Sequence, residues 1–124
     1  MMFRSILAIA IGGALGSVAR FLSQKFVYEW SPHEFPFGTL IVNLLGCFLI
    51  GLLFGWFDKI NLLNPEWRLF LTTGFCGGFT TFSTFAFENM TLLKSGHIAY
   101  FIIYTACSVV LGIGLTFAGM ALVR

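Results

Sequence analysis

Seven basic and five acidic side chains are distributed so that four long stretches carry no charge: residues 5–19, 35–57, 69–87 and 98–123. A membrane-crossing helix needs about 20 mostly apolar residues. Each stretch reaches or nearly reaches that length, the first by running past Arg20 to about Phe26. Arg20 therefore stands near a membrane interface. Transmembrane barrel strands alternate polar and apolar residues, and these runs do not. The expectation is an all-α integral membrane protein, a single transmembrane domain over residues 1–124. Its helices are placed at about 6–26, 39–58, 66–93 and 98–122, with Pro65 opening the third and Lys59, Asn61 and Asn64 in the loop before it.

Composition narrows the class further. Hydrophobic residues make up 58% of the 124 and charged residues 10%, with a mean hydropathy of +0.92. A soluble domain carries about 25% charged residues, so a disordered chain or a soluble scaffold is excluded. A net charge of +2 is too small to capture a nucleic acid. Arg4, the apolar run behind it and the small residues Ser17 and Ala19 resemble a cleaved leader. Gly12, Gly13 and Gly16 read instead as packing positions of a retained helix.

With four spans, Arg4, Lys59, Arg68 and Arg124 share one side of the membrane, and Arg20, Lys25 and Lys94 the other. The positive-inside rule then gives almost no bias. Balanced charge is what insertion in both orientations requires, and its natural assembly is an antiparallel homodimer in membrane lipid. The pairs Gly12/Gly16, Gly51/Gly55 and Gly74/Gly78 are each four apart, the spacing that lets helices approach closely in lipid.

The chemistry concentrates in GFCGGFTTFSTF, residues 74–85. Gly77-Gly78 followed by Thr80-Thr81 is poor helical material. Either the helix continues through its glycines, or it breaks. A break at membrane depth survives only inside protein or beside water and frees carbonyls, hard ligands for Na⁺ or K⁺. Phe79, Phe82 and Phe85 recur every third residue among Thr81, Ser83 and Thr84. Ring edges are electropositive and suit a small desolvated anion, although with 16 Phe in the chain core or lipid-facing phenylalanine is the better account of the spacing alone. Asn43 is either interhelical glue or pore lining. Tyr104 and Ser108 share a helical face, and their hydroxyls either serve an anion or bond to backbone. Arg20 either lines a vestibule or snorkels to headgroups.

No enzyme constellation stands out. His33 and His97 fall in different loops, His33 beside Glu34 makes a poor metal site, and Cys47, Cys76 and Cys107 occupy three different spans as small apolar residues. A rival class is a small dual-topology, proton-coupled exporter of toxic cations, which needs an ionisable residue at membrane depth. Residues 5–19 offer none, and Glu88 falls at or near the end of the third span. A non-transporting assembly subunit would leave the polar residues unexplained.

GGALGSVARF (12–21), FGTLIVNLLGCFLIG (37–51) and GFCGGFTTFSTF (74–85) together resemble the Fluc (CrcB) family of bacterial fluoride channels, and with the four-span layout the resemblance covers essentially the whole chain. It implies a fluoride-selective channel for passive export across the bacterial inner membrane, built as a dual-topology antiparallel homodimer with two pores. By resemblance, Phe82 and Phe85 supply ring edges, Asn43 donates to fluoride, and Arg20 sits near the vestibule. Tyr104 and Ser108 line the ion path, with Thr81, Ser83 and Thr84 beside them. A structural Na⁺ is held by the backbone carbonyls of Gly77 and Thr80 from both subunits. Gly112 and Gly114 stand where further hydroxyls would extend the polar track.

Overall fold

The computed structural model describes residues 2–60 and 64–123. Asn61 and Arg124 lie outside the described residues. All regular structure among them is helical: α1 (Met2–Trp30), α2 (Phe37–Ile60), α3 (Pro65–Leu69), a π-helical stretch (Phe70–Cys76), α4 (Gly77–Phe79), α5 (Phe82–Lys94) and α6 (Ile98–Leu122). Three of these, α1, α2 and α6, are long and apolar enough to cross a membrane. The third span, placed at 66–93 with a break at its glycines and threonines in view, is a broken segment, residues 65–94, with no single piece of spanning length. The first helix extends well beyond 6–26 at both ends, because Arg4, Lys25 and Glu29 sit comfortably in exposed turns.

Local chemistry sets the ends of the broken segment. Asn64 caps α3, its side-chain oxygen accepting from the Glu66 and Trp67 amides at 3.0 and 3.4 Å, with Pro65 at the first helical position. At the far end Gly96 takes a φ of +79°. The His97 amide there donates to the Leu92 carbonyl at 2.8 Å and the Gly96 amide to Leu93 at 3.1 Å. This paired closure is the glycine-dependent stop that turns the chain into α6.

Glycine lets two pairs of backbones touch. A Cβ at Gly51 would collide with the Thr116 carbonyl, and one at Gly119 with that of Phe48, so α2 and α6 pack main chain to main chain. A Cβ at Gly12 would meet the Phe70 carbonyl, and one at Gly16 the Phe75 carbonyl, so α1 lies directly on the π-helical stretch. Larger side chains fill what remains. One cluster gathers Phe35, Leu40, Leu92 and Tyr104; a second gathers Leu53, Phe57 and Cys76. The exposed surface is rich in large apolar residues along α1, α2 and α6, as expected of a chain whose solvent is lipid.

Candidate functional site

The broken segment loses its helix at two threonines. Thr80 and Thr81 are extended, with φ, ψ of −95°, 161° and −153°, 122°. The main-chain amides at the two threonines find specific alternatives. The Thr80 amide and hydroxyl both donate to the Cys76 carbonyl, at 3.0 and 2.9 Å. The Thr81 amide donates to Asn43 Oδ1 at 2.8 Å, and Asn43 Nδ2 donates back to the Thr81 carbonyl at 3.1 Å. Asn43 thus splices the break from α2, with its second N–H still to offer. The Thr81 hydroxyl caps α5 by accepting from the Thr84 amide at 3.3 Å. Gly46 keeps this approach open, since a Cβ there would run into the Thr80 methyl.

The Gly77 and Thr80 carbonyls are left without their helical donors. In an α-helix the Gly77 carbonyl accepts from residue 81 and the Thr80 carbonyl from residue 84. Those amides are committed to Asn43 and to the Thr81 hydroxyl. Of the two carbonyls between them in the chain, that of Gly78 is taken by Arg20, whose Nε donates at 3.0 Å. Arg20 therefore reaches the back of the break rather than only an interface.

The front of the break faces a groove of about 590 Å³. Asn43, Gly77, Thr80, Thr81, Phe82, Phe85 and Ser108 all line it. Phe82 is 78% exposed, and its ring centroid lies 5.6 Å from that of Phe85. Phe85 in turn meets Tyr104 edge-on at 5.0 Å. The Ser108 hydroxyl is buried and has no hydrogen-bond partner among the described residues. Phe79 leaves the every-third pattern: it is buried and stacks on Phe75 at 5.8 Å. The break between residues 79 and 82 interrupts the helical phase, so regular spacing does not carry a common face across it.

Thr84 faces a second cavity, about 450 Å³, on the other side of α5. The Thr81 hydroxyl links both sides, 3.4 Å from that of Ser83 and donating to that of Thr84 at 3.2 Å. Tyr104 lies outside the groove lining: it is fully buried and its hydroxyl donates to Glu88 Oε1 at 2.8 Å. Thr39 donates to the other Glu88 oxygen at 3.0 Å, and Gln24 donates to Thr39 at 3.0 Å. This chain joins α1, α2, α5 and α6 through one carboxylate. Sequence reading placed Glu88 near a span end and missed its partners. The signal available was topological, because the end of the first span, the start of the second, the end of the third and the start of the fourth share one side.

The loops also meet where the sequence separated them. His97 Nε2 lies 2.6 Å from Glu34 Oε2, and both His33 and His97 pack on Tyr100. Among the described residues no three His, Cys, Asp or Glu side chains group as a metal site.

Residues 7–120 match the family described as CrcB-like protein, Camphor Resistance (CrcB). The chain is 48% identical over 121 residues to the fluoride-specific ion channel FluC of Leptospira interrogans serogroup Icterohaemorrhagiae serovar copenhageni (strain Fiocruz L1-130), covering 98% of this chain and 95% of that one. It is 46% identical over 117 residues to the protein of the same name from Aquifex aeolicus (strain VF5), covering 94% of each. The break, the groove it faces and this full-length similarity lead to one conclusion: the chain belongs to the CrcB family.

Proposed function

We propose that the protein is a fluoride-selective channel that lets the anion leave the cytoplasm passively. The relatives bear the name fluoride-specific ion channel, and the family is one of channels rather than enzymes. The observation that carries the reading here is the groove at the break. It joins the Phe82–Phe85 pair, the unpaired Ser108 hydroxyl and two donor-deprived carbonyls, with no Lys or Arg in its lining. Positive ring edges and neutral N–H or O–H donors stabilise a desolvated anion. A fixed cation would bind it tightly and delay release. Hydrogen fluoride crosses lipid uncharged and dissociates in a near-neutral cytoplasm, so a passive path driven by gradient and inside-negative potential suffices for export.

The rest of the assembly follows from what the single chain leaves open. The groove lies on an open face of one chain, and balanced loop charge permits both orientations. A second, antiparallel copy would cover it, with the broken segment as a fourth crossing and a pore on each side of the two-fold axis. The carbonyls of Gly77 and Thr80 from both copies would hold a central Na⁺, an oxygen-only set suited to a hard monovalent cation. That ion would join the two breaks and is not transported. The proposed location is the bacterial inner membrane. For the exporter of toxic cations, the required carboxylate is Glu88, and both its oxygens already accept hydroxyl hydrogen bonds.

Purified protein in liposomes, with valinomycin and K⁺ collapsing the potential, tests the reading. Fluoride should leave rapidly while chloride stays, with no proton gradient and with dependence on Na⁺ during reconstitution. A folded dimer that passes no fluoride would overturn the channel, and proton-driven uptake of organic cations would install the exporter.

A further inference from the structure

The π-helical stretch just before the break serves nothing assigned so far. Its seven residues, Phe70–Cys76, end with the Gly77 amide reaching five residues back to the Thr72 carbonyl. The face that lies on α1 runs through it: a Cβ on Gly12 would meet the Phe70 carbonyl and stand 3.0 Å from the Phe75 amide, and one on Gly16 would meet the Phe75 carbonyl and stand 3.0 Å from the Phe79 amide. Nine residues of α-helix turn about 900°, which puts their ends on opposite sides. One extra residue taken up by π winding lowers this to about 800°, some 80° past two turns, which swings the two ends back toward one side. The rotation between those ends is the one an α-helix one residue shorter would give. Single extra residues of this kind persist mostly at functional sites.

The surroundings single out what the extra residue displays. Thr72, Gly74 and Cys76 are buried, and the Thr72 hydroxyl is spent on the Arg68 carbonyl at 2.6 Å. Thr73 between them is exposed and lines the groove, one turn before Gly77. Its hydroxyl makes no hydrogen bond among the described residues. The groove's other unpaired hydroxyl, Ser108, comes from α6, so two neutral donors reach the groove from different elements.

We propose that Thr73 is a further ion-path residue, presented to the groove by the π-helical insertion and donating its hydroxyl to the passing anion. The inference rests on the channel reading above. A hydroxyl replaces one water of the anion's shell and, carrying no charge, releases it readily.

The experiment compares fluoride efflux from liposomes holding wild-type, Thr73→Val and Thr73→Ser protein, each verified as a folded dimer. Valine keeps the branched shape and removes the donor, so efflux should fall about tenfold, while serine should stay within about twofold of wild type. Normal efflux in Thr73→Val or equal loss in Thr73→Ser would each overturn the inference. Absence of efflux in the wild type would instead sink the channel reading itself, so the two failures are distinguishable.

Discussion

Gly77 and Gly78 are adjacent in sequence and opposite in environment. A Cβ on Gly78 would stand 2.6 Å from the Gly13 carbonyl oxygen and 3.1 Å from the Ser17 amide nitrogen, whereas one on Gly77 would meet only the Thr72 carbonyl, at 3.9 Å. One glycine is required by the neighbouring backbone of α1; the other opens on the groove. The same division holds along the segment. Toward α1 the contacts are main chain on main chain and the Gly78 carbonyl is claimed by Arg20; toward the groove stand rings, a free hydroxyl and two carbonyls without their helical donors. Close packing on one face is what lets the other stay irregular without collapsing.

That contrast is broken most severely from the packed side. Gly78→Leu drives a side chain into the backbone of α1 and should prevent assembly, a cost beyond the roughly 1–3 kcal/mol of ordinary overpacking. Gly77→Ala should leave a dimer of normal elution volume in detergent, and equal behaviour of the two variants would erase the distinction. Asn43→Leu comes next: it strands the Thr81 amide and carbonyl, each costing about 1–3 kcal/mol when buried and unpaired, and thermal melting in detergent should fall accordingly.

On the open side, Phe82→Ile should cut fluoride efflux at least tenfold, a barrier increase of about 1.4 kcal/mol, with the dimer still assembled. Unchanged flux would remove ring edges from the path. Tyr104→Phe takes one donor from Glu88 and should lower stability by about 1 kcal/mol, read as a modest drop in melting temperature. Smallest is Glu34→Ala, which removes the loop contact to His97. With the Glu34 side chain 69% exposed, its loss should cost less than about 1 kcal/mol and vanish in high salt.

Much of this division was legible before any coordinates. The charge-free runs located the helices, since a lipid-facing element cannot carry unpaired charge, and the Gly-Gly and Thr-Thr pairs marked where a helix would fail. The glycine pairs were legible as packing positions, but not their partners, because spacing gives a face and not what lies opposite. Arg20 shows the limit plainly. Its position near a span end fitted headgroups or a vestibule, and only its reach to the Gly78 carbonyl 58 residues later in the chain adds a third role.

The sequence by itself determined the solvent, the helical class and the weak point of the third segment, because each follows from local composition and the cost of unpaired polar groups in lipid. Tertiary structure decided which partners answer the freed groups. Asn43, Arg20 and the Thr81 hydroxyl divide the main chain of the break among them, and in the π-helical stretch Thr73 lies exposed on the groove while Gly74 and Phe75 beside it stay on α1. Those outcomes depend on where other helices stand and on a one-residue change of helical phase, and neither is encoded in hydropathy or spacing.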